Sequence, residues 1–305
     1  MPGYPAWKPG VIPLRPLTLT DIFNGAVAYV RANPKPTLGL TTVIILITTI
    51  IGFVVTLLMS TTDGTLQAAA SAVIGGLASL IATVLLSGML TVLVARSVLG
   101  SPITAAQAWQ RVRPRMAALI GLTLLEIVAV AVVVVAVTGA IIGIAHAGGG
   151  VIATLIGIPL VLLTIAALAY LGTSLLLAPA AIVLERKSVP DAIRRSLALV
   201  RGRFWRILGI LLLAGVVVGF VAGAISMPFN IAGSVITLGA RHQTPTIGGT
   251  MVATIGQAIS QIITTPFLAG VINLLYVDAR IRSEAFDFTL MAPGSADADT
   301  LWLGR

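Results

Sequence analysis

The sequence predicts an all-α protein, a polytopic membrane bundle of six transmembrane helices with three amphipathic interfacial helices on its cytoplasmic side. Three observations predict it. The chain is 57% hydrophobic and only 10% charged, against about 25% charged in soluble domains, so it has too little polar surface to face water all round. Six apolar runs each reach the roughly 20 residues that cross the hydrocarbon. The charges cluster between those runs, as membrane topology demands.

The runs occupy residues 37–59, 68–95, 116–145, 151–184, 207–227 and 251–277, and only the third contains a charged residue, Glu126. The third and fourth are longer than a crossing needs and must tilt or extend past the membrane. Of the 19 lysines and arginines, all but Arg241 fall in the N-terminal segment, the 2–3 and 4–5 connections and the C-terminal segment. The positive-inside rule therefore places both ends in the cytoplasm. The outward turns are then residues 60–67, 146–150 and about 228–250. Prolines 2, 5, 9, 13 and 16 interrupt the start of the chain, so no signal-peptide core is present there. Residues 1–17 are expected to be a flexible cytoplasmic tail, 18–287 the transmembrane domain, and 288–305 a second flexible tail.

Two cytoplasmic segments read as short amphipathic helices. In 18–32, Ile22, Phe23, Ala26, Val27 and Val30 share a face; in 189–202, Ile193, Leu197 and Val200 do. Thr18 with Asp21, and Ser188 with Asp191, have capping-box spacing. These segments align without gaps with a third. Val30-Arg31, Val112-Arg113 and Val200-Arg201 each precede, at one fixed distance, a glycine flanked by Leu or Ile: Gly39, Gly121 and Gly209. Pro102 and Pro190 coincide in the same register. The expectation is three repeats, about 18–96, 101–184 and 188–287, each an amphipathic helix followed by a transmembrane hairpin. The arginine would anchor at the headgroups, and the glycine would let helices approach closely.

The stretch Pro179 through Glu185, with Ala192, Ser196 and Arg203-Phe204-Trp205-Arg206-Ile207-Leu208-Gly209, resembles the bacterial membrane domain found with membrane-anchored glycerophosphoryl diester phosphodiesterases. The run from Leu274 through Tyr276, Asp278, Arg280, Arg282 and Glu284 to Asp287 is similar to that family's ending, and Pro13 to Gly25 to its opening. In the family the diesterase chemistry belongs to a separate soluble barrel of about 250 residues. Only residues 288–305 follow Asp287, so the resemblance implies a membrane module of a bacterial plasma membrane without its enzyme.

No catalytic set is visible, so neither enzymatic activity nor a cofactor is expected. The chain has no cysteine, and its two histidines, His146 and His242, sit in expected outward turns without carboxylate neighbours. The glycines form no Walker A pattern. The net charge of +9 points to anionic headgroups, not nucleic acid, because it lies beside the membrane. Arg31, Arg113, Arg201, Arg203 and Arg206, with Trp205, are the candidate lipid contacts.

Glu126 lies roughly 15 Å into the third helix, where an ionised carboxylate is costly. It is either a proton- or cation-binding group or a hydrogen-bonded structural one. Gln257, Gln261, Thr264 and Thr265 fall on one face of the sixth helix, as cavity lining or as interhelical hydrogen bonding. The leading functional expectation is a non-enzymatic scaffold or accessory module engaging lipids, a membrane protein or a separate enzyme partner. The rival is a small transporter or channel built on Glu126 and the sixth helix. Asp278, Arg280, Arg282 and Glu284 are expected to organise the cytoplasmic segments as weak surface pairs.

Overall fold

A computed structural model describes residues 10–13, 15–58, 64–101, 103–239, 246–284 and 301–302, with the side chains of 64–71 and 147–153 outside that description. All regular structure among the described residues is helical. The elements are α1 (Leu19–Ala32), α2 (Pro34–Leu58), α3 (Gly64–Val98), α4 (Ala105–Val112), a 3-10 turn Arg113–Arg115, α5 (Met116–Leu175), α6 (Ala178–Leu184), α7 (Val189–Val200), α8 (Phe204–Gly239) and α9 (Ile247–Glu284). Six segments are long and apolar enough to span a membrane, so the protein is a multi-pass membrane protein.

Several boundaries differ from expectation. No loop interrupts α5, whose helical assignment runs from Met116 to Leu175. The chain nevertheless reverses inside it. A Cβ on Gly157 would lie 3.7 Å from Ile141 Cγ2, whereas sixteen residues of straight helix would separate the two by about 24 Å. The expected hairpin is therefore present with a turn built into helical backbone. The expected outward segment 228–250 is largely helix as well. Its polar residues turn inward on their own backbone: Asn230 Nδ2 donates to the Ser226 carbonyl (2.9 Å), Ser234 to Asn230 (2.8 Å) and Thr237 to Gly233 (3.0 Å). Such i−4 bonding lets hydroxyls and amides stay in an apolar helix. Arg241, His242 and Pro102 lie outside the described residues.

α1 begins with the expected capping box, Thr18 accepting from the Asp21 N–H (3.2 Å) and Asp21 from the Thr18 N–H (3.0 Å). At α7 the second box does not form; the Ser188 hydroxyl instead donates to the Asp191 carboxylate (2.5 Å). An unexpected box opens α4, where Thr104 and Gln107 bond reciprocally. α4 starts at Ala105, so it is shorter ahead of Arg113 than α1 is ahead of Arg31 or α7 ahead of Arg201. The buried face of α7 is Ala192, Ser196, Leu199 and Val200, and Leu197 points outward. Ser196 decides this rotation. Its hydroxyl donates to the Ser174 carbonyl (2.6 Å) and accepts from the Leu177 N–H (3.2 Å), serving backbone freed by the break between α5 and α6. Pro179, near the start of α6, suits that break.

Two clusters of buried apolar side chains form the core, and both lie at the end of the bundle that carries the basic segments. One joins α1, the C-terminal end of α3, α7, the start of α8 and the end of α9, around Tyr29, Leu177 and Tyr276. The other joins α3, α4, the start of α5, α6 and α7 around Leu90, Leu119 and Ile182. The far limbs are different. The most apolar windows of the third and fourth spans are 0% and 6% buried, so lipid must solvate them.

Both expected tails dock onto this core where they are described. Ile12 and Leu17 are fully buried, the Val11 N–H donates to the Ser97 carbonyl (3.1 Å), and Trp302 is 3% exposed. Each buries one or two large apolar side chains, worth about 1.5–3 kcal/mol apiece, which offsets part of the entropy of ordering the segment. The tail reading therefore fails for residues 10–13 and 15–17 and for Leu301–Trp302.

The glycines also redistribute. A Cβ at Gly39 or Gly209 would meet nothing within 4 Å, and one at Gly121 would make ordinary contact with Val189. These three glycines therefore do not mediate close approach. Gly25 does, because a Cβ there would lie 2.7 Å from Ile12 and 2.8 Å from Leu274. Gly270 does too, against Tyr29 and Ala26 of α1. Periodicity marks a position along a helix, whereas close approach depends on which side faces a neighbour.

Candidate functional site: a buried charge network and two intramembrane cavities

Two acids organise the charged end. Asp278, 3% exposed on α9, accepts from the Leu17 N–H (2.8 Å), from Arg206 of α8 (2.7 Å) and from Arg282 one turn on (2.9 Å). The Leu17 carbonyl accepts from both Arg206 (2.7 Å) and Arg282 (3.0 Å). One carboxylate and the backbone N–H and C=O of one residue thus clamp the N-terminal segment to α8 and α9.

Glu185, just after α6, is the second centre. It accepts from Arg195 of α7 (2.9 Å) and from the Tyr276 hydroxyl (2.5 Å), with Lys187 at 3.4 Å and Arg280 at 3.9 Å. Arg195 also pairs with Glu284, and Arg280 bridges Glu284 (3.1 Å) to the Trp302 carbonyl (3.1 Å). Burial alone would raise the Glu185 carboxyl, but the Tyr276 hydroxyl and the Arg195 and Arg280 guanidiniums outweigh it and hold the group below its ordinary range. Burial pushes the Tyr29 phenol well above its ordinary value, so it stays a donor to the Pro266 carbonyl.

Asp278, Arg280, Arg282 and Glu284 therefore do organise the basic segments, but not as weak surface pairs. Asp278, Arg280 and Glu185 are buried, where breaking a pair is costly. Glu185 was read only as part of a family motif. Its role needs Tyr276, which is remote in sequence, and Arg195 ten residues on, which carries no spacing signal.

The predicted polar site is divided. Glu126 lines a cavity of about 340 Å³ with Ser87, Thr91 and Asn273 among mostly apolar neighbours. Asn273 is buried and its Oδ1 has no hydrogen-bond partner among the described residues. Gln261 and Thr265 line a separate cavity of about 410 Å³ with Thr48, Thr49 and Thr83. The two cavities share Ser87, Ala269 and Ile272 as a wall. Gln257 is exposed, and Thr264 is buried with its hydroxyl on the Ser260 carbonyl (2.9 Å). The sixth-helix face is thus partly lining and partly backbone bonding.

Arg31, Arg113, Arg201 and Trp205 are exposed. Arg203 reaches the Leu199 carbonyl at 3.5 Å. Arg206, an expected lipid contact, also forks between the Asp278 carboxylate and the Leu17 carbonyl. Among the described residues no group of three or more potential metal ligands converges.

No curated protein and no solved structure matches the chain. A family model does match, over residues 150–290, which run from the fourth span through the sixth and hold both Glu185 and Asp278. The motifs that carried the resemblance at Pro179–Gly209 and Leu274–Asp287 fall inside that match, and the family is a membrane domain rather than a catalytic one. Residues 150–290 of this multi-pass membrane protein match the membrane domain of glycerophosphoryl diester phosphodiesterase.

Proposed function

We propose that the protein is a non-enzymatic membrane scaffold or accessory module of a bacterial plasma membrane. Both ends lie in the cytoplasm, and the module engages anionic lipids of the inner leaflet together with a partner protein or separate enzyme. One observation carries the reading. The charges of the basic segments separate into a buried set that ties those segments together and an exposed set, Arg31, Arg113 and Arg201, with Trp205 also exposed. A rigid cap rimmed by arginines suits a headgroup layer, where each basic residue contributes about 1 kcal/mol. The test compares thermal midpoints of the purified chain in bilayer discs of zwitterionic lipid with and without anionic lipid. A higher midpoint with anionic lipid is expected; equal midpoints sink the lipid half of the reading. A reporter at residue 65 or 240 that reacts from the cytosol in intact cells would overturn the orientation.

A specific observation favours a second reading, a small transporter or channel. Glu126 and the unpaired Asn273 Oδ1 belong to one cavity that shares a wall with the cavity of Gln261 and Thr265. Flux of protons or monovalent cations into proteoliposomes would be measured for the native chain and for Glu126→Gln. Flux that the substitution abolishes supports transport; absence of flux in the native chain removes it.

A further inference from the structure

A third cavity, of about 360 Å³, opens at the charged end where α3, α4, the 3-10 turn and α6 meet. Four arginines from these four places line it: Arg96, Arg111, Arg115 and Arg186. No carboxylate is among its described lining residues, and Val92, Ala95 and Val183 form an apolar wall with Trp302. None of these arginines belongs to the exposed rim discussed above, and Arg115 and Arg186 take part in none of the ion pairs found among the described residues.

Arg186 supplies an independent observation. It is the one non-glycine described residue in the left-handed region, with φ 56°, while the other two such positions, after α3 and after α7, are Gly100 and Gly202. Such helix-ending positions favour glycine, because a Cβ there crowds the backbone. Here the chain keeps an arginine in a strained conformation, and its side chain lines the four-arginine cavity. Strain held at one residue points to use of that side chain.

Convergent guanidiniums recognise phosphate oxygens through paired N–H donors. The cavity flanks the ends of the second and fourth spans and the start of the third, and the ends of spanning helices lie near the headgroup region of a bilayer. We propose that this cavity binds the phosphate group of an anionic phospholipid, with Arg115 and Arg186 as principal contacts and Trp302 in its wall. The proposal rests on the lipid-engaging reading above and gives it a defined site.

The test uses the full chain in detergent with its other three tryptophans replaced by Phe, so that Trp302 reports binding. Short-chain phosphatidylglycerol, short-chain phosphatidylcholine and inorganic phosphate are titrated. Phosphatidylglycerol is expected to bind well ahead of the other two. Arg115→Gln with Arg186→Gly is expected to weaken it at least about tenfold, the scale of one lost charge-assisted pair. Arg186→Gly alone is expected to weaken binding while leaving the thermal midpoint equal or higher, because it relieves the left-handed strain; a merely structural arginine would not separate the two readouts. Lys35→Gln with Arg194→Gln removes the same charge from exposed positions outside both the cavity and the rim and is expected to leave the affinity within about twofold. If that control loses binding and the cavity variant does not, the site is wrong while lipid engagement stands. If phosphatidylcholine binds as well as phosphatidylglycerol, both fall. Inorganic phosphate binding as tightly as the lipid would reassign the cavity to a soluble phosphate ester and overturn the lipid assignment.

Discussion

The charged end of the bundle and its far limbs are built on opposite principles. At the charged end, short helices and two docked segments, residues 10–13 with 15–17 and Leu301–Trp302, pack around buried Tyr29, Tyr276 and Trp302, and Asp278 and Glu185 each accept from several donors. In the far limbs, above all the third and fourth spans, most Leu, Ile and Val side chains face outward. Lipid tails are as apolar as leucine, so burying those side chains against protein gains little. Buried charges gain only from exact partners. Specificity therefore resides at the charged end, and the limbs need only be long and apolar.

The largest break in that comparison is expected from Asp278→Ala. It leaves Arg206, Arg282 and the Leu17 peptide without their shared acceptor, and the cost should be about 3–5 kcal/mol. Denaturation in detergent, with proteolysis of the N-terminal segment as a second readout, checks it. A loss no larger than that of Val135→Ala on the exposed limb would show that the network contributes nothing special.

The Glu185 centre sharpens the comparison through pH. Its folded carboxyl titrates below the ordinary value of 4.5. The unfolded chain therefore binds the proton first, and the stabilisation is fully present above that value. It is lost as pH falls from there through the folded pKa. Glu185→Gln keeps an acceptor for Tyr276 but loses the ion pairs, so it should cost about 1.5–3 kcal/mol at neutral pH. It should also flatten the acid limb of a midpoint-versus-pH curve. An unchanged acid limb in the variant would assign the acid sensitivity elsewhere.

The smallest contrast sets one glycine against another. Gly270→Val pushes into Tyr29 and Ala26 and should cost about 1–3 kcal/mol. Gly39→Ala enters open space and should fall within about 0.5 kcal/mol of neutral. Equal costs measured by thermal shift would restore close packing at Gly39.

The sequence showed the charged end less clearly than the limbs. Asp278, Arg280, Arg282 and Glu284 stand together after an apolar run and announce pairing, but nothing in them names Arg206, Arg195 or the Leu17 backbone as partners. Glu185 lacks any such grouping. Ile12 and Trp302 sit among prolines or small polar residues, a composition that reads as tail until a pocket is found for each. The polar stretch near Asn230 and Ser234 reads as loop because i−4 backbone bonding neutralises polarity that composition still counts.

Composition and periodicity by themselves determined that the chain is helical, crosses the membrane six times and gathers its cations at alternate connections, since hydrophobic transfer and charge placement act on each segment independently of its neighbours. The pairing of Asp278 with Arg206, the redirection of close approach from Gly39 to Gly270, the docking of the segments around Ile12 and Trp302 and the convergence of Arg96, Arg111, Arg115 and Arg186 were decided only in three dimensions. Each depends on which faces of separate helices meet, and that is settled by packing between segments far apart in the chain.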